Sequence, residues 1–181
     1  GAGPIGLSLM QVAKALGAGA AWVTDVYPRA LECAVELGAE EARLGNEERL
    51  ADLGREVLGA TGGRGLDRIF DTTGIRAAQE FALSILARGG CLILMAGAAD
   101  GLRLSGADLA GERQVTTAAN HRYEDFQTGL DLLATGRVRV APMVTHIFPL
   151  DQAQEAFAVA ANKHVYGAIK VLVMPGGGRK V

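Results

Sequence analysis

Little sulfur, few aromatic rings and no excess of either charge mark this 181-residue chain. Its two cysteines, Cys33 and Cys91, lie far apart, so neither a disulfide framework nor the CxxC pairs of a structural zinc site can form, and a reducing compartment is expected. Lys plus Arg number 18 against 20 Asp plus Glu, a net charge of −2, so no basic field exists to hold a nucleic-acid backbone. Nucleic acid is therefore not an expected partner. No apolar stretch approaches the roughly 20 residues that cross a bilayer. No basic segment leads into an apolar one at the start, so neither a membrane span nor a signal peptide is expected and the chain reads as cytoplasmic. What is present is ordinary for a soluble domain: 49% hydrophobic and 21% charged residues exclude disorder, and the length suits one α/β domain. Glycine is the exception, with 25 residues set between apolar runs as turn punctuation.

Apolar periodicity places helices and strands in alternation. Helical spacing runs from Pro4 to about Leu16, a buried strand from Ala20 to Thr24, and a second helix from Pro28 to Leu37. A short strand is expected at Ala42–Leu44 and a helix from Glu47 to Gly59. Next come a strand at Leu66–Phe70, a helix over Ile75–Leu86 and, after Gly89-Gly90, a strand at Cys91–Met95. A loop at Ala98–Leu102 leads to a strand at Gln114–Ala118 and a helix over Tyr123–Thr135 with Tyr123, Phe126, Leu130 and Leu133 aligned. A strand at Met143–Phe148, a helix at Asp151–Ala161 and a strand at Ala168–Val173 complete the series. Such alternation implies βαβ crossovers and a doubly wound parallel sheet of Rossmann type with helices on both faces.

Gly1, Gly3 and Gly6 fit GxGxxG, in which glycine permits the tight turn, the approach of backbone to pyrophosphate and close helix–sheet packing. The motif opens a helix whose start can hold an anion, and Asp25 ends the next strand, where an acid accepts hydrogen bonds from an adenosine ribose. Together they point to a dinucleotide. A carboxylate there repels a 2′-phosphate, so NAD is expected over NADP unless Arg29 compensates. The plain alternative for Asp25 is a helix N-cap. A Rossmann sheet has a strand before its glycine turn, and this chain begins at the first glycine, so the first central strand is expected to be missing from it.

Further runs stand out: Gly1-Ala2-Gly3-Pro4-Ile5-Gly6, Val23-Thr24-Asp25, Glu36-Leu37-Gly38-Ala39, Asp71-Thr72-Thr73-Gly74, Gly89-Gly90 and His121-Arg122-Tyr123. Val144-Thr145-His146-Ile147-Phe148-Pro149-Leu150 with Glu155-Ala156-Phe157 closes the series. In these runs and their order the chain resembles the cofactor-binding half of the zinc-containing, medium-chain alcohol and polyol dehydrogenases, most closely their sorbitol (L-iditol) and xylitol dehydrogenase branch. The resemblance implies hydride transfer from a secondary alcohol of a polyol to NAD, with a catalytic zinc polarising the alcohol oxygen. It implies that Pro4 and Ile5 lie against the pyrophosphate and that Asp25 holds the adenosine ribose. Thr73 and Gly74 would flank the adenosine, Met95-Ala96-Gly97 would approach the nicotinamide, and Asn120-His121-Arg122 would pass beside it. Arg122 and Tyr123 would face the polyol.

The sequence departs from the family's pattern at Ala30, where a basic residue is common, and at Ala96 and Asn120. The zinc ligands and proton relay of such enzymes belong to a separate N-terminal domain, so no metal ligand and no catalytic residue is expected here, and the fragment alone is expected to be inactive. Residues 1–174 are expected to form the NAD-binding domain, its last helix and strand packing toward that catalytic domain, with 175–181 a flexible tail. A homo-oligomer, dimer or tetramer, is implied, with Gly101–Leu109 as its contact. His146, in a strand, reads as structural, and Tyr123 has core packing beside Phe126 and Leu130 as its rival role. A stand-alone nucleotide-binding module without catalysis and a methyltransferase-like domain binding S-adenosylmethionine remain open as alternatives.

Overall fold

The computed structural model describes residues 1–97 and 101–176, with Glu47 described by its backbone alone. They divide into two compact units, one of Gly1 with Arg43–Tyr123, the other of Ala2–Ala42 with the chain from Glu124 onward. The described elements alternate as expected: α1 (Pro4–Ala15), β1 (Trp22–Asp25), α2 (Pro28–Glu36), β2 (Glu41–Leu44) and α3 (Glu47–Ala60) come first. Then follow β3 (Leu66–Asp71), α4 (Arg76–Ser84), β4 (Leu86–Leu94), β5 (Gln114–Thr117) and α5 (Tyr123–Ala134). The series ends with β6 (Val144–Pro149), α6 (Ala153–Ala161), α7 (Lys163–Tyr166) and β7 (Lys170–Met174). The strands pair in three sets, β1-β2, β3-β4-β5 and β6-β7.

In the unit that begins at Ala2, Pro4 and Pro28 each take the first position of a helix, where the N–H that proline lacks has no partner anyway. Helix α1 buries Leu7, Met10 and Gln11, an i, i+3, i+4 face. Leu7 and Met10 pack with Val23 of β1, with Ala30, Cys33 and Ala34 of α2, and with Met143. Gln11 is buried yet satisfied: its amide donates to Arg139 O at 3.0 Å and its oxygen accepts the Arg139 N–H at 2.8 Å, which ties α1 to the chain before β6. Strands β6 and β7 run parallel, with Ile147 opposite Leu172. His146 lies in β6, its Nδ1 3.0 Å from Thr145 Oγ1 and its ring stacked on Phe148, in agreement with a structural role.

Cys33 is fully buried and its Sγ lies 3.6 Å from Pro142 O. Burial first and the Glu36 charge second push its thiol above the ordinary range, with Arg29 and Arg139 opposing. The thiolate is the reactive form, so Cys33 should resist alkylation in the native protein. Mass-spectrometric readout of iodoacetamide labelling should show Cys33 modified only as the chain unfolds; rapid native labelling would contradict this burial.

In the other unit, β3, β4 and β5 form a parallel sheet in which Asp71 faces Leu94 and Leu94 faces Thr117. The crossover helix α4 lays Ala82 and Leu83 on Leu86 and Leu92 of β4. Leu92 is completely buried, and truncating such a leucine to alanine costs about 2–5 kcal/mol. Here the structure corrects the sequence reading. Helix α4 stops at Ser84 and β4 starts at Leu86, because Leu66 N–H donates to Ile85 O at 2.9 Å and captures the chain there. The register then slips: Leu66 pairs with Leu86 but Arg68 pairs with Cys91, so Gly89-Gly90 is a bulge inside the strand and not a turn before it.

Three further differences are local. Short 3₁₀ turns at Ala141–Met143 and Leu150–Gln152 precede β6 and α6, and α7 was not anticipated. The aligned residues of α5 are exposed, Tyr123 at 88% and Phe126 at 58%, whereas its buried residue is Leu132; core packing of Tyr123 is therefore not its role. Of the expected loop at Ala98–Leu102 and the tail at 175–181, residues 98–100 and 177–181 lie outside the described residues.

Candidate functional site

Gly3 caps α1 with extended backbone and no side-chain oxygen bonds the helix start. The first helical bond is donated by Leu7 N–H to Gly3 O at 2.9 Å, so the earlier N–H groups, those of Ile5 and Gly6 among them, have no partner within the helix. A Cβ built on Gly3 meets nothing within 4 Å, so the surface beside those donors is open, and Ile5 is 61% exposed at its edge. Asp25, at the end of β1, is tied to the turn: one carboxylate oxygen accepts the Ala2 N–H at 2.6 Å and the other the Tyr27 N–H at 3.0 Å. It is thus not the N-cap of α2, which is Tyr27. Each oxygen keeps lone pairs for further donors. Uncapped amides, an open face at Gly3 and a half-buried carboxylate fit the pyrophosphate and ribose of a dinucleotide.

Two cations among the described residues belong to elements that adjoin the Asp25 turn. Arg29 pairs with Glu32 at 3.2 Å, both more than half exposed, a contact worth little. Lys163 of α7 sits 5.2 Å above the Tyr27 ring, a neighbour that the sequence alone did not assign.

In the unit of β3, β4 and β5, the other expected contacts leave one edge of the sheet, the carboxyl ends of the three parallel strands. Thr73 and Gly74 follow β3, Met95-Ala96-Gly97 follow β4, and Asn120 and Arg122 follow β5. Met95 N–H donates to Asp71 O at 2.8 Å and Ala118 N–H to Leu94 O at 3.2 Å, which carries the pairing past the strand ends. Gly1 lies against β3: a Cβ there would stand 2.6 Å from Thr72 Oγ1, so only glycine fits without a shift. Asn120 has a φ of 62°, a left-handed conformation that asparagine tolerates better than most residues.

Asp71, which opens the Asp-Thr-Thr-Gly run at the end of β3, organises this edge. It is 6% exposed and its carboxylate accepts four hydrogen bonds, from Thr73 N–H at 2.9 Å, Thr73 Oγ1 at 2.6 Å, Gly74 N–H at 3.2 Å and Gln79 Nε2 at 2.7 Å. Burial pushes its pKa up, but the bonds from Thr73, Gln79 and the two backbone amides outweigh it and hold the carboxyl below the usual range. A carboxyl depressed in the folded state stabilises above its unfolded pKa of about 3.9 and loses that contribution as pH falls through the folded value. Urea midpoints should therefore drop below about pH 4, and the drop should shrink in Asp71→Asn; equal acid slopes in both proteins would contradict this assignment.

Residues 4–135 match the zinc-binding dehydrogenase family. The chain belongs to that family. It is 31% identical to the sorbitol dehydrogenase of Bacillus subtilis over 97% of this chain and 49% of that protein, and 34% identical to human sorbitol dehydrogenase over 87% and 44%. The solved alcohol dehydrogenase of Thermotoga maritima superposes with a TM-score of 0.87 at 25% identity, covering 97% of this chain and 48% of the other. The Rossmann-type α/β fold is thus that of zinc-binding dehydrogenases, and the chain spans about half the length of the curated relatives it matches. Zinc-binding dehydrogenases take their name from a metal. Among the described residues of this chain no group of three or more His, Cys, Asp or Glu side chains is placed to hold one, so these residues do not fit a zinc site.

Proposed function

We propose that this chain is the NAD-binding part of an oxidoreductase that moves hydride between a secondary alcohol of a polyol and NAD. The observation that carries the reading is the 2.6 Å bond from Ala2 N–H to the Asp25 carboxylate, which locks the glycine turn to the acid that would hold the ribose. Bound NAD would supply the hydride acceptor. The residues of this chain bind and orient it. The free amides at the start of α1 face the pyrophosphate with Gly3, Pro4, Ile5 and Gly6 beside it, and Asp25 accepts from the ribose hydroxyls. In the other unit, Gly1, Thr73, Gly74, Met95, Ala96, Gly97 and Asn120 are the further cofactor contacts of this reading, and Arg122 and Tyr123 its residues for the alcohol. Arg29 stays available to the ribose, because its exposed pair with Glu32 is worth little.

The alcohol-polarising zinc and the proton relay would come from residues other than those described. In this reading residues 1–174 form one cofactor domain that packs on a catalytic partner domain, in a cytoplasmic homo-oligomer. Exposed Leu104 and Leu109, at 45% and 37%, favour Gly101–Leu109 as the subunit contact. The test is sorbitol and xylitol oxidation by the polypeptide as its own cells make it, followed by NADH absorbance. Polyol-dependent NADH formation that a zinc chelator abolishes is expected. Tight NADH binding without turnover of any polyol would replace the reading with a nucleotide-binding module.

A further inference from the structure

Far from the carboxyl edge, at the amino ends of the same strands, a cavity of about 560 Å³ is lined by Gly63, Arg64, Arg88, Ala110 and Arg113. Arg64 stands in the turn before β3, Arg88 in the bulged start of β4, and Arg113 immediately before β5. We propose that this cavity is a binding site for a small phosphate-bearing anion, distinct from the dinucleotide site.

The cavity is built by the backbone. The four-residue bulge Ala87–Gly90 breaks the regular alternation of β4, and Gly89 N–H is tied to Gly111 O at 2.8 Å. Bulges re-aim side chains, and here the Arg88 side chain lies along Gly111. A Cβ on Gly111 would stand 3.1 Å from Arg88 Cγ and 3.3 Å from its Cζ, and the residue has a φ of 82° that L side chains rarely adopt. Glycine at 111 is therefore what lets the guanidinium pass.

The charged lining residues are all arginines, and the carboxylates nearby stand outside the lining. Arg64 is paired with Asp67, an exposed contact that a tighter anion displaces readily. Asp108 acts on Arg113 through space, but one of its oxygens is held by Ser105 N–H at 2.8 Å and Ser105 Oγ at 2.7 Å. Glu112 is exposed beside Arg113. Arg88 forms no ion pair among the described residues, and Arg113 Nε is buried with no hydrogen-bond partner among them. The terminal nitrogens of the same guanidinium carry the donors that an anion in the cavity would meet. Guanidinium forks match the oxygens of phosphate, and among the described residues three of them line this concavity. The volume lies in the range of small-ligand pockets and exceeds what a bare phosphate needs, which favours an organic phosphate monoester.

Calorimetric titration at constant ionic strength, on the native polypeptide saturated with NADH, tests the site with inorganic phosphate and with glucose 6-phosphate. One saturable site per chain is expected, weakened about tenfold or more by Arg88→Gln and by Arg113→Lys, with NADH affinity unchanged. Tighter binding of the ester identifies an organic phosphate, and equal affinities identify the free ion; either supports the site. Arg88 is exposed, so Arg88→Gln decides the matter should Arg113→Lys fail to fold. Absence of saturable heat with both probes, an unchanged affinity in Arg88→Gln, or phosphate that displaces NADH would overturn the proposal.

Discussion

Replacing Asp71 by alanine is expected to lower the unfolding free energy by about 3–5 kcal/mol, the largest single effect that the structure assigns to a polar residue. The carboxylate accepts bonds from Thr73 N–H, Thr73 Oγ1, Gly74 N–H and Gln79 Nε2, and Gln79 is itself 1% exposed. Alanine leaves the Gln79 amide buried without an acceptor and frees the turn that carries Thr73 and Gly74. A buried donor so abandoned costs about 1–3 kcal/mol, and removing both partners costs less than removing one. The double variant Asp71→Ala, Gln79→Leu should therefore be more stable than the sum of its single effects. Urea unfolding at neutral pH measures both. A loss under about 1 kcal/mol for Asp71→Ala would contradict the role given to this carboxylate.

The second large effect belongs to Gly74. Its φ is 67°, and a Cβ there would stand 2.5 Å from Gly97 O, a backbone atom with no easy retreat. Gly74→Ala should cost about 1–2 kcal/mol for the left-handed conformation, with an added term for pushing apart the turns after β3 and β4. Gly136 is the control: its φ is 69° and nothing lies within 4 Å of its Cβ position, so Gly136→Ala carries the conformational cost alone. Because Gly74 and Gly97 both belong to the proposed cofactor surface, Gly74→Ala should also weaken NADH by about tenfold or more, whereas Gly136→Ala should leave it unchanged. Equal stability losses in the two variants would show that the approach to Gly97 is not a constraint.

The elements that the sequence made legible are those with local punctuation. Prolines at 4 and 28 and the glycines after the helices place α1, α2 and α3 within a residue or two of their observed ends. The glycine spacing and the strand-end acid likewise led to Gly3 and Asp25, whose contact with Ala2 the structure supplies. Local reading fails where a distant partner decides. Gly89-Gly90 has the composition of a turn, yet β3 captures Leu86 and turns the pair into a bulge. Gln79 meets Asp71 across a turn and eight positions of sequence, without a periodic signal. Periodicity in α5 identifies residues that share a face but not what covers it, and that face is exposed. Helix α7 is four residues long, too short to leave a pattern, so Lys163 beside Tyr27 could not be foreseen.

The central claim is that the turn locked to Asp25 holds NAD and discriminates against a 2′-phosphate. Trp22 opens β1 three residues before Asp25, and it is the only tryptophan, so its emission reports on that site. Side-by-side titration with NADH and NADPH, with calorimetry alongside, measures the claim directly. Saturable quenching by NADH with NADPH weaker by about tenfold or more is the predicted result, because the phosphate would face the carboxylate. Equal or tighter binding of NADPH would show that Lys163 or Arg29 governs the choice, and neither quenching nor heat with either nucleotide would contradict the cofactor site itself.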